Sequence, residues 1–136
     1  MTADGGQETP AIRITSTAPV LLVPDVAYAV AYYCVVLGFK VEFVQHEHYI
    51  AVFRDGVHVH LAASNGVELR SNRVAWTQTV QPADVNFFVS DADALFEEFS
   101  KKGAEIDEPP TNQKYGVRDF QVKDCNGYLL RFNQIL

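Results

Sequence analysis

The chain has 136 residues, 48% of them hydrophobic and 21% charged, which suits one globular domain with a buried core. A formal net charge of −6 argues against nucleic acid as a partner, because a phosphate backbone calls for a basic face. No apolar run approaches the ~20 residues of a membrane span. Cys34 and Cys125 form neither a CxxC pair nor a disulfide framework, which points to a reducing, cytoplasmic setting.

The first ten residues, MTADGGQETP, lack the basic and apolar regions of a signal peptide, so residues 1–14 read as a disordered lead-in. Thr15 to Val23 is a strand candidate, with Pro19 marking an edge position or a bulge. Asp25 caps a helix from Val26 to Leu37, whose Val26, Val30, Tyr33 and Leu37 share one face, and Gly38 ends it. Strands follow at Phe39 to His46 and His48 to Arg54. An Asp55-Gly56 turn then leads to a strand from Val57 to Ala63. Ser64 to Pro82, which holds Trp76, is polar and irregular and reads as a linker. Beyond it, Asp84 to Val89 is a strand and Asp91 caps a helix from Ala92 to Lys102, ended by Gly103. A strand starts at Ala104 to Ile106, and Glu108 to Lys114, with its Pro109-Pro110 pair, reads as a loop. Val117 to Lys123 and Tyr128 to Asn133 form a closing hairpin. Its turn holds Asn126-Gly127, two residues that tolerate positive φ.

The order β-α-β-β-β therefore occurs twice, over about residues 15–63 and 84–134. Val23-Pro24-Asp25 answers to Val89-Ser90-Asp91, and the run from Asp55-Gly56 to Leu61 answers to that from Asn126-Gly127 to Phe132. Half-domains of this size are unstable alone, so the expected fold is α+β, with two βαβββ modules whose sheets pair around a shared cavity. The residues APVLLVPDVAYAVAYY, LGFKVEF, VFRDGVHVHL and YGVRDFQVKDCNGYLLRF resemble the vicinal oxygen chelate superfamily of glyoxalases, dioxygenases and antibiotic-resistance proteins. Within it, they are most similar to bleomycin-resistance-type proteins.

Strand alternation puts His58 and His60 on the face opposite Val57, Val59 and Leu61, which is the cavity side. There they are polar wall residues or an adventitious metal-binding pair. The resemblance implies four metal positions, which register on Ala18, His60, Asp84 and Arg131. Ala18 and Arg131 offer no lone pair, so no metal or other cofactor is expected. The alternative is a glyoxalase-type lyase or isomerase, or a dioxygenase, working through His60, Asp84 and Arg131, with or without a divalent ion such as zinc, nickel or manganese. For the binding reading, the resemblance implies a homodimer that holds a flat cationic small molecule, such as an antibiotic, in grooves at the subunit interface. The ligand-binding residues are then Glu42, Phe43, Tyr49, His58, His60, Trp76, Tyr115 and Gly116.

Overall fold

The computed structural model describes residue 9, residues 11–75 and residues 82–136. Its elements run β1 (Val20–Val23), α1 (Val26–Val35), β2 (Lys40–His46), β3 (Tyr49–Arg54), β4 (Val57–Ala63), α2 (Asn72–Ala75), β5 (Val85–Phe88), α3 (Ala92–Lys101), β6 (Glu105–Asn112), β7 (Val117–Lys123) and β8 (Leu129–Ile135). Two four-stranded sheets result, ordered β1-β4-β3-β2 and β5-β8-β7-β6. In each, the first strand runs parallel to the last and the other pairs are antiparallel. The two βαβββ modules of the sequence are thus present as two α+β units.

The caps act as the sequence predicts. The carboxylates of Asp25 and Asp91, both on extended backbone, accept from the amides of Tyr28 and Ala94 at 3.0 Å. Gly38 needs its glycine for its backbone, and a side chain there would also press on the Arg54 guanidinium. Its φ is +74°, and a Cβ there would stand 2.7 Å from Arg54 Nη1.

Four elements differ from expectation. β1 starts at Val20 rather than Thr15, because Pro19 has no N–H to continue the ladder. Its carbonyl instead accepts the last bond, from His60 N at 2.9 Å. β6 continues through Pro109-Pro110, where a loop was expected. It is an edge strand, so the missing N–H groups need no partner, and the register slips between Glu108 and Thr111. The linker contains the short helix α2, whose start is capped by a residue far along the chain: Asp84 accepts from Ser71 Oγ and Asn72 N, both at 2.6 Å. In the β7–β8 turn only Gly127 has positive φ, whereas Asp55 and Gly56 both do. The carboxylate of Asp124 organises the longer turn by accepting from Asn126 N at 2.8 Å and Tyr128 N at 2.9 Å.

Each helix covers one face of its own sheet. Val52, Val59 and Leu61 pack beneath α1, and Phe120 and Phe132 meet Phe99 on the buried side of α3. Each buried aromatic contributes roughly 1.5–3 kcal/mol by leaving water. The modules meet through side chains. Tyr33 Oη on α1 donates to Asp124 Oδ2 at 2.6 Å, and Tyr128 Oη donates to the Leu22 carbonyl at 2.7 Å. On the other flank Arg54 grips Glu98 through two bonds of 2.7 and 2.9 Å. The rings of Phe39 and Phe87 meet between these bridges, 6.3 Å apart.

Burial pushes the Asp124 carboxyl up, against the downward pull of its three donors, and burial beside Asp124 pushes the Tyr33 phenol well above its usual range. Tyr33 therefore remains the donor. Tyr33→Phe should cost about 1–3 kcal/mol of stability in urea unfolding, the range for removing a hydrogen bond to a buried charged group. At the second bridge Arg54 holds Glu98 below its usual value. That stability is present above the ordinary glutamate pKa and is lost as pH falls through the depressed one. Glu98→Gln should therefore destabilise the protein near neutral pH, and the difference from wild type should vanish toward about pH 2. Unfolding curves at the two pH values check this.

Candidate functional site

The faces of the two sheets turned away from the helices carry the polar and aromatic residues. On β3 and β4, alternation puts Tyr49, Ala51, Phe53, His58 and His60 on this face of the first sheet. On β2, strict alternation would send neighbours Glu42 and Phe43 to opposite faces. The β2–β3 register breaks there, with Val41 opposite Val52 and Phe43 opposite Ala51, so Glu42 is the extra residue of a bulge. The bulge lets both side chains reach the histidines. Glu42 Oε1 lies 3.0 Å from His58 Nδ1, and the Phe43 ring meets His60 edge-on at 5.6 Å. The Tyr49 hydroxyl lies 2.6 Å from His60 Nδ1, with the rings 5.4 Å apart. Phe53 stacks on His58 at 6.5 Å. All seven residues of β2 are exposed, so this cluster has an open side.

The second sheet carries a denser network. Arg131 donates from Nε and Nη2 to Gln121 Oε1 at 2.9 and 2.8 Å. Gln121 Nε2 donates to Asp107 Oδ2 at 2.9 Å, and Arg73 from the linker clasps the same carboxylate with bonds of 3.1 and 2.6 Å. Those bonds hold Asp107 below the usual carboxylate range. Gln113 Nε2 donates to the buried Asp119 at 2.9 Å, and the Tyr115 hydroxyl sits 3.4 Å from both Asp119 and Arg131. Gly116, at φ +84°, forms the bend that leaves Tyr115 largely exposed. A cavity of about 340 Å³ lies here, walled by Tyr115 and Phe88 and lined by Asn86, Arg131 and Asn133.

Of the residues expected from sequence, Glu42, Phe43, Tyr49, His58 and His60 converge on the first sheet, and Tyr115, Gly116 and Arg131 lie together on the second. Trp76 falls outside the described residues. Ala18 precedes β1 in irregular chain. The Asp84 carboxylate is fully engaged, with Ser71 and Asn72 as above and Leu129 N at 2.8 Å. It straps the linker to the second sheet. Among the described residues no hydrogen bond joins His60 to Asp84 or Arg131. Phe53, Gln121, Asp107 and Arg73 were missed. Phe53 was accessible from its period-two spacing with Tyr49, and Gln121 from its spacing with Asp119. Nothing in the polar linker marks Arg73. Neither cysteine is activated: burial pushes both thiols up, Cys125 to about 11.

Two covered half-sheets, each with an open polar and aromatic face, define a protein of the glyoxalase-like α+β class. Residues 13–132 match the model of the Glyoxalase/Bleomycin resistance protein/Dioxygenase superfamily, and the chain belongs to that superfamily. No curated protein matches it. Among solved structures it is similar to TioX from Micromonospora sp. ML1, with a TM-score of 0.71 and 22% identity over 90% of this chain and 99% of that one. It is also similar to the bleomycin-binding protein of Streptomyces verticillus, solved in complex with copper(II)-bleomycin, with a TM-score of 0.69 and 21% identity over 91% and 98%. A glyoxalase-related enzyme from Clostridium phytofermentans gives a TM-score of 0.71 at 16% identity over 94% and 100%. At these identities the structures share the fold, which serves many chemistries.

The donor set does not fit the divalent ion that some members of this superfamily hold. Arg131 is a cation bound to Gln121, and Asp84 is engaged with the linker. Among the described residues no three His, Cys, Asp or Glu side chains stand where they could share an ion. Titration of chelator-treated protein with zinc, nickel and manganese should show no saturable uptake. One tightly held ion per chain would reverse this reading of the donor set.

Proposed function

We propose that this protein is a metal-independent small-molecule-binding protein of bleomycin-resistance type. It sequesters a flat, cationic antibiotic or similar ligand in a groove at a homodimer interface and leaves it chemically unchanged. The observation that carries this reading is the cluster on the open face of the first sheet. Phe43 and Tyr49 flank His60 there, and Glu42 sits beside His58 on an exposed strand. Aromatic edges and faces give stacking and cation–π energy at low entropic cost, and the carboxylate suits a positive group. Exposed Val41, Phe43 and Val44 on β2 supply apolar surface for a second copy. The likeness to a bleomycin-binding protein supports the ligand class. Tyr115 and Gly116, beside the cavity on the second sheet, would complete the groove from the partner copy.

Isothermal titration with metal-free bleomycin tests this directly, and the expected result is saturable binding near two sites per dimer. Tyr115→Ala and Tyr49→Ala should each weaken it by about 1–3 kcal/mol, as loss of an aromatic anchor does, without changing the unfolding midpoint. Unchanged affinity in both variants would remove the groove assignment. Conversion of the ligand to product would replace sequestration by catalysis of the glyoxalase or dioxygenase kind.

A further inference from the structure

The two modules repeat one another, yet the two flanks where they meet are not alike. Tyr33 and Phe99 are equivalent, each eight residues beyond its capping aspartate, Asp25 or Asp91. Tyr33 reaches the β7–β8 turn and bonds Asp124. Phe99 has no hydroxyl, and the turn it faces is shorter. Arg54 pairs with Val57 across only two residues, Asp55 and Gly56, whereas Lys123 pairs with Leu129 across five, 124–128. On this flank a cavity of about 480 Å³ remains, within the range of small-molecule sites.

Its lining is chemically specific. Phe39, Phe87, Phe99 and Phe132 form an aromatic floor, with Phe87 and Phe132 stacked at 4.8 Å. Phe88 stands at the mouth, 66% exposed. Three carboxylates, Asp55, Asp91 and Glu98, line it against one cation, Arg54. Arg54 gives both Nη atoms to Glu98 and its Nε lies 3.5 Å from Asp55, while among the described residues the Asp91 carboxylate accepts only from the Ala94 amide. The guanidinium already stands 6.0 Å from the centre of the Phe99 ring, a cation–π distance. The cavity therefore carries excess negative charge around an aromatic floor, and it opens on the flank between the modules. Phe88 also walls the smaller cavity beside Tyr115 and is the boundary between the two.

We propose that this cavity is a second binding site, separate from the groove, for a small organic cation: an ammonium group on an aromatic or apolar body. The ring rests on the phenylalanine floor and the ammonium sits between Asp55 and Asp91. Organic anions are rejected by the same carboxylates.

The test is a titration of the ¹⁵N-labelled full-length protein with phenethylammonium, with phenylethanol as the neutral match and phenylpropionate as the anionic one. The expected result is saturable amide shifts at Ser90, Ala94 and Leu95, strongest for the ammonium and absent for the carboxylate. The double variant Asp55→Asn, Asp91→Asn keeps the helix cap and the positive-φ turn, since asparagine supports both. It should weaken the ammonium about three- to tenfold, as loss of two partly exposed charge pairs predicts, and leave the alcohol unchanged. Equal binding of the anion, shifts confined to residues around Tyr49 and His60, or an unaltered ammonium affinity in the double variant would each overturn the proposal. The comparison of three probes on the unmodified protein depends on no variant, and bleomycin binding is measured independently of it.

Discussion

The buried hydrogen bond from Tyr33 to Asp124 is the constraint on which the arrangement depends. Each module offers one sheet with one helix on it, too little surface to hold itself closed. Docking them requires a polar turn to enter the core, and Asp124 enters with three donors waiting: one hydroxyl from the other module and two amides of its own turn. A carboxylate in that position without its partners would cost several times what the bond returns. The contact therefore specifies one relative placement of the modules as much as it stabilises it. That placement sits on the helix side of both sheets and leaves the opposite faces available for recognition.

Those faces owe their chemistry to small details of strand register. Period two alone would have set Glu42 and Phe43 on opposite sides of β2. One bulge gives the first sheet a carboxylate and a ring next to each other, each against a different histidine. The second sheet uses the same device: Ile106 pairs with Val122 and Glu108 with Gln121, so Asp107 is the extra residue there, and the sheet gains a chain of amides, carboxylates and guanidinium groups. There Arg131 gives Nε and Nη2 to Gln121, with the carboxylates of Glu108 and Asp119 at 3.6 and 3.9 Å, and its Nη1 is turned toward Tyr115.

The local grammar of the fold was legible in the sequence. Asp25 and Asp91 cap amides three residues on, and Gly38, Gly103 and the Asp55-Gly56 turn act through their own backbone; such local preferences are carried by residue identity. The elements that escaped depend on something distant. Pro109-Pro110 breaks a central strand but not an edge one, and edge position is settled by the sheet. Helix α2 begins where it does because Asp84, twelve residues on from Asn72, accepts its first amide. The same bond explains why Asp84 is not the cavity acid that the sequence suggested. It stands just before β5, which begins at Val85, rather than in the strand as expected, and its side chain is claimed by a linker that carries no pattern of its own. On the first sheet, strand alternation placed His58 and His60 on one face, while Glu42, Phe43 and Tyr49 came from the family resemblance; short hairpins bring the five side by side.

The internal repeat also limits what chemistry the open faces can hold. His60 and Arg131 occupy equivalent positions, each four residues after the glycine of its turn, and each stands on the last strand of its sheet. One offers a ring nitrogen, held near a tyrosine hydroxyl, while the other is a fixed cation. An ion bound between the two modules would need lone pairs from both. A planar ligand with a positive group needs only rings, one carboxylate and a satisfied guanidinium kept to one side. Arg131, together with Ala18 and the engaged Asp84, leaves these positions short of the lone pairs that chelation between the modules would need.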